Sequence, residues 1–285
     1  MNRTALARAA AHAAIKARQQ YRLGLARAIS PFDLALRMGI SVRFAALPSL
    51  EGIYQAGPKP VILVSALRPP GRQAYTCSHE IGHHVFGHGT RVDEILDRDD
   101  GDMFDPNEYL AQRFASALLM PKLAVETAFA RRGWRAAAPT PESVFVVAQD
   151  LGVGYTALVG HLQHTLSLIS RHVATGLLRR PLKRLRRDLA GFEVPYDIFV
   201  FDENWGERPV ELEVGDVLLV PPYSKTKGAS LREESLPRRH LVAVAPGKAE
   251  VSRIEDGCSV EVLVARREYQ GLARYRHLED PDHAG

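Results

Sequence analysis

Apolar positions recur with two different periods along this chain, and the change comes near residue 192. Upstream they return every three or four residues, as on helices. Downstream they fall in short runs of period two, separated by Gly, Pro and Asp, as in strands. The pattern predicts a first helix over 3–29, with Leu6, Ala10, Ile15, Tyr21 and Leu25 set among basic residues. Ser30-Pro31 restarts a helix as N-cap and first helical residue, and Gly39 ends it. Short strands follow at 40–44, 51–55 and 60–65, the last with a Val-Ile-Leu-Val run of buried-strand type. Residues 72–86 read as a helix with an apolar stripe of Ala74, Cys77, Ile81 and Val85. Tyr75, His79, Gly82, His83 and Phe86 lie on roughly its other side. Such a helix is covered on both sides, and buried histidines need partners. Gly87 and Gly89 terminate it.

Residues 91–105 are acidic and read as a solvated loop; the residue order of a calcium loop is absent. Asp105-Pro106 opens a helix with Leu110, Phe114, Ala117 and Leu118 as its apolar side, and Pro121 stops it. Residues 144–162 read as helix, turn at Gly152, helix, the spacing of a helix-turn-helix unit. Neither lysine nor arginine occurs between Arg135 and Arg171, so the pair reads as a packing unit, since DNA affinity needs cations. Residues 171–191 carry Arg171, Arg179, Arg180, Lys183, Arg184, Arg186 and Arg187 against Asp188. They read as a solvated helix or linker; the alternative, a nucleic-acid arm, lacks interleaved aromatic residues. Strands are expected at 197–202, 210–213, 217–220, 240–244, 250–254 and 259–265.

Composition narrows this picture modestly. A chain of 285 residues holds two or three modules, and its net charge of +4 says little about partners. No apolar run approaches the ~18 residues of a membrane span. Two cysteines, Cys77 and Cys258, fit a reduced cytoplasmic protein, with Cys77 a small buried residue rather than a reactive thiol. Residues 1–32 lack acids and are rich in arginine and alanine, as in a transit peptide, but sparse hydroxyls favour an amphipathic helix.

The chemistry concentrates in His79-Glu80-Ile81-Gly82-His83, an H-E-x-x-H run. Residues four apart share a helix face, so His79 and His83 can offer two imidazoles to one metal. Glu80 can reach a water on that metal and take its proton. A catalytic zinc needs a third protein ligand. His84 points about 100° away around the helix, and His88 falls about half a turn off the ligand face. Glu108, in the first turn of the next helix, is the other candidate; at Asp105-x-x-Glu108 it also has the spacing of a capping box. Tyr54, His161 and His164 are candidates for steadying an oxyanion, each also readable as structural.

Beyond that run, Val61–Ser65, Arg68-Pro69, Arg72-Gln73 and Tyr75-Thr76-Cys77-Ser78 preceding His79, together with Glu108-Tyr109-Leu110-Ala111-Gln112-Arg113-Phe114-Ala115 and Leu118-Leu119-Met120-Pro121, resemble the ImmA/IrrE family of metallopeptidases. The resemblance covers about 30–170. It implies zinc held by His79, His83 and Glu108, with Glu80 as general base. The family's asparagine one turn after the glutamate is Gln112 here, a longer amide for orienting a histidine ligand. The implied fold class is α+β: a zincin-like metallopeptidase domain of small sheet and H-E-x-x-H helix, a helix-turn-helix-like unit, and a β-rich C-terminal domain. The expected divisions are 1–45 helical, 46–135 peptidase core, 136–172 helical unit, 173–191 basic linker and 192–285 β-rich, in the place of the family's sensor domain. The implied activity is a cytoplasmic zinc endopeptidase that cleaves a helix-turn-helix repressor and derepresses stress or mobile-element genes. Substrate is expected to add as a strand along 60–65. The alternative is a zinc-containing regulator that binds a repressor or DNA without cutting and senses through 192–285. Neither reading involves a membrane.

Overall fold

The structure, a computed structural model, describes residues 2–94, 104–206, 208–235, 237–255 and 257–278. Helix α1 (Arg3–Gln20) buries Leu6, Ala10, Ala14 and Ala17 on one face. Its small side chains let it lie along α4 (Pro106–Leu119). Ile15, expected on that stripe, is exposed. The helix also ends nine residues before the expected 29. Arg22 adopts a φ of 54°, and the turn wraps the buried Arg18 guanidinium, which donates to the carbonyls of Gly24, Arg27 and Leu118. Helix α2 (Pro31–Arg37) starts as expected, with the Ser30 hydroxyl accepting the Asp33 N–H.

Strands β1 (Ser41–Ala45), β2 (Leu50–Gln55) and β3 (Val61–Ser65) lead into helix α3 (Pro70–Phe86). Strand β4 (Arg91–Glu94) follows, where the sequence reads as loop; the acidic stretch 95–103 lies outside the described residues. The sheet order is β13-β1-β3-β2-β4, with β13 (Gly271–Leu272) arriving from the far end of the chain. Strand β3 pairs with β1 on one side and β2 on the other. It therefore has no edge for a substrate strand, contrary to the expectation for 60–65. Among the described residues the free edges are β4 and β13.

After α4 come α5 (Lys122–Ala130), α6 (Pro141–Leu151) and α7 (Tyr155–Gly160), the last running into a π-helical turn, His161–Thr165. Helix α6 and the α7 segment meet at 104° through a turn at Gly152. The main chain of Val153 and Gly154 in that turn lies against Gly71 at the start of α3, so this helix pair packs on the site helix. Residues read as a basic linker form α8 (Arg171–Leu178) and α9 (Leu182–Ala190). Several of their charges are paired: Arg180 with Glu142 and Asp188, Arg186 with Asp197, and Arg187 with Glu193.

Two four-stranded sheets complete the chain. One is β5 (Ile198–Val200), β7 (Val217–Leu219), β10 (His240–Ala243) and β9 (Leu231–Glu234), in that spatial order. The other is β6 (Val210–Glu213), β12 (Ser259–Ala265), β11 (Gly247–Arg253) and β8 (Ser224–Lys227). Leu218, Leu231 and Leu241 of the first share an apolar cluster with Val210, Val251 and Val262 of the second. The opposite face of β7, Val217 and Leu219, joins the large cluster that also holds Val64, Cys77 and Leu151. Alternate side chains of one strand thus serve two cores.

Polar contacts reinforce this junction. The Gln149 amide of α6 receives the Val200 N–H at 3.1 Å and donates to the Ile198 carbonyl, closing the edge of β5. Asp150, buried, accepts from Arg131, Arg132 and the Gly206 N–H, while Arg132 also reaches Asp202. Beyond β12, Tyr269 packs on Phe44, and the Arg276 guanidinium lies 4.8 Å over the Phe32 ring. No single helix among the described residues is long and apolar enough to cross a membrane.

Candidate metal centre

Helix α3 begins with Pro70 in its first turn, and Ala74, Cys77 and Ile81 seat it in the core. Val85, at the end of the expected stripe, is exposed. The opposite face carries His79 and His83, 6% and 0% exposed. Their Nε2 atoms lie 3.0 Å apart. Helix α4 crosses this face closely because Gly82 has no side chain. A Cβ there would lie 3.0 Å from Ala111 Cα. The approach brings Glu108 over the histidines, its Oε2 3.1 Å from His79 Nε2 and its Oε1 3.4 Å from His83 Nε2.

These distances fit a single small ion. A tetrahedral zinc with bonds of about 2.0–2.1 Å sets its ligands about 3.3 Å apart. His79, His83 and Glu108 form the one group of this kind among the described residues, all three donor atoms lying within 4.8 Å of one another. Glu108 does not serve as a cap: Asp105 accepts the Asn107 N–H at 2.7 Å, and the Glu108 carboxylate is turned to the histidines. Burial opposes the Glu108 charge, but the bonds from His79 and His83 outweigh it and hold the carboxyl well below its usual range. A third of its side chain remains exposed, so the centre opens on that side.

Glu80 is fully buried, between α3 and β2. It fits there because position 52 is glycine; a Cβ on Gly52 would come within 2.6 Å of Glu80 Oε1. Neither glycine enters a reading by motif alone, although an isolated glycine inside a strand pattern signals close backbone approach. His84 and His88 stand apart from the group. His84 Nδ1 meets the Tyr54 hydroxyl at 2.7 Å, and burial lowers the His84 pKa and raises that of Tyr54. His88 Nδ1 lies 2.9 Å from Nδ1 of His83, the ring nitrogen away from Glu108. The Gln112 side chain is exposed, and the main-chain carbonyl of Gln112 accepts from the Tyr75 hydroxyl. His161 is buried in the π-helical turn, its pKa pushed down to about 4 by burial, and His164 is exposed. Cys77 is buried among apolar residues; burial and, less strongly, Glu80 push its thiol up. Neither Cys77 nor Cys258 is in a disulfide.

Residues 35–162 match the family model described as peptidase M78, IrrE N-terminal-like domain. No curated protein matches the chain. The matched span runs from α2 through the start of the π-helical turn and takes in His79, Glu80, His83 and Glu108. Residues 35–162 of this chain are thus similar to the IrrE N-terminal-like domain of peptidase M78.

Proposed function

We propose that this protein is a zinc-dependent endopeptidase whose substrate is a helix-turn-helix transcriptional repressor, so that cleavage releases stress-response or mobile-element genes. The observation that carries the reading is the convergence of His79, His83 and Glu108 beside Glu80, within a peptidase-family domain. His79, His83 and Glu108 would hold the ion, and the partly exposed side of Glu108 would face the incoming peptide. Zinc, when bound there, would supply Lewis acidity. Glu80 would act as general base on the attacking water and pass the proton to the leaving amine. Burial against Gly52 keeps its carboxylate in one place. The substrate adds antiparallel or parallel to β4, the free sheet edge nearest β2 and Glu80.

The test incubates the metal-loaded full chain with helix-turn-helix repressors from the same genome and maps fragments by mass spectrometry. A defined internal cut, lost on chelation and reduced at least ~100-fold in Glu80→Gln, supports the reading. Zinc binding should persist in that variant. Equal derepression in cells by the wild type and Glu80→Gln would replace it with a regulator that binds without cutting.

A further inference from the structure

The chain reverses directly after α3, and the reversal folds a third histidine onto the second. Gly87 has φ 67° and ψ 35°, a left-handed conformation that costs a residue with a Cβ. Its N–H donates to the His84 carbonyl at 3.2 Å, and the His88 N–H donates to the His83 carbonyl at 3.1 Å. This is the Schellman closure of a helix, which lays the second residue past the end over the last turn. His88 therefore meets His83 twice, through the main chain and through the 2.9 Å contact between the two Nδ1 atoms. Phe86 stacks on the His88 ring at 5.6 Å and 16°, and Phe86 in turn packs edge-on against Phe114 of α4.

The contact has a definite proton pattern. His83 turns Nε2 toward His79 and Glu108. A nitrogen that ligates must keep its lone pair there, so the His83 proton sits on Nδ1. His83 is fully buried, and a buried N–H without an acceptor is costly. His88 Nδ1 accepts it, with the His88 proton on Nε2. Neighbouring groups do not take this place: His84 Nδ1 faces Tyr54, and Gln112 is exposed.

The geometry points to His88 as a positioning residue that fixes the tautomer and ring orientation of His83 for metal ligation, a role that rests on the three-ligand reading above. It acts through His83 and is not itself a ligand. The experiment measures zinc affinity of the full chain by competition with a chromophoric chelator, for wild type, His88→Leu and His88→Gln, and thermal unfolding of each metal-free chain. Leucine keeps volume and removes the acceptor; glutamine returns an acceptor oxygen. His88→Leu should bind zinc about 10- to 100-fold more weakly, the usual loss for an outer partner of a ligating histidine. His88→Gln should recover most of that loss, with metal-free unfolding temperatures close together.

Unchanged affinity in His88→Leu overturns the positioning role and leaves the three-ligand centre standing. Complete loss of zinc makes His88 a ligand and overturns it as well, and equal weakening in both variants reduces it to packing. If His88→Leu does not fold, His88→Gln decides alone: affinity within about tenfold of wild type supports the role, and a larger loss overturns it. A wild-type chain that takes up no zinc overturns the three-ligand reading and this role together.

Discussion

Gly82→Ala separates the stability of the fold from the geometry of the metal centre. The added Cβ would lie 3.0 Å from Ala111 Cα and 3.3 Å from the Ala111 Cβ and carbonyl oxygen. Carbon atoms in contact settle at about 3.5–4.0 Å, so α4 must retreat by about 0.5–1 Å. Glu108 lies less than one turn before Ala111 on the same helix, so it retreats from histidines now 3.1 and 3.4 Å away. A metal site tolerates only about 0.2 Å in its ligand distances. In the metal-free chain two effects oppose each other. Alanine in place of a helical glycine gains about 1 kcal/mol, and overpacking costs about 1–3 kcal/mol. The net change lies between neutral and a loss of about 2 kcal/mol. Metal binding has to recompress the contact, which lowers zinc affinity by about 5- to 150-fold if most of that overpacking energy returns. Chelator competition measures the affinity, and thermal unfolding of the metal-free chain measures the stability. Zinc affinity within about twofold of wild type, with the chain folded, would refute the link between helix spacing and ligation.

Other outcomes follow from the packing and the buried charges. His161 and His277 are both pushed down to about 4 by burial, against about 6.5 when unfolded, so the unfolded chain binds the extra protons. Stability is therefore full above about pH 6.5 and falls toward pH 4 by about 1.4 kcal/mol per unit for each histidine. Urea unfolding at several pH values should show the slope reduced by about one proton in His161→Leu, and an unchanged slope would count against it. A chain ending at Ala265 loses β13 from the edge of β1, the Tyr269–Phe44 contact and the Arg276–Phe32 contact. It should unfold at a lower temperature than the full chain, and a stable fragment with unchanged unfolding temperature would show that these contacts contribute nothing.

What the sequence shows of this fold depends on where each element sits. Helices α2 and α4 are legible because their starts carry Ser30-Pro31 and Asp105-Pro106, while α3 is read from its apolar stripe and its Gly87 end and starts at Pro70, two residues before the expected 72. Four strands escape the pattern: β4, β8, β9 and β13. All four are sheet edges. Edge strands such as Ser224–Lys227 and Leu231–Glu234 carry charge that blocks further pairing, and so lack the apolar alternation by which strands are read. The pairing of β13 with β1 is long-range and leaves no local trace, which is why 192–285 reads as detached while its packing is not. At the centre, the i, i+4 histidines and Glu108 are visible as motifs. The space that lets them meet comes from Gly82, and the room for Glu80 beside them from Gly52, each contributing an absent side chain.

Zinc content of the purified full chain, wild type beside Glu108→Ala, decides whether Glu108 completes the metal centre. One zinc per wild-type chain is expected, with loss of that zinc in Glu108→Ala, where His79 and His83 are left as an incomplete pair that cannot hold the ion. A Glu108→Ala chain that keeps its full zinc complement would contradict it.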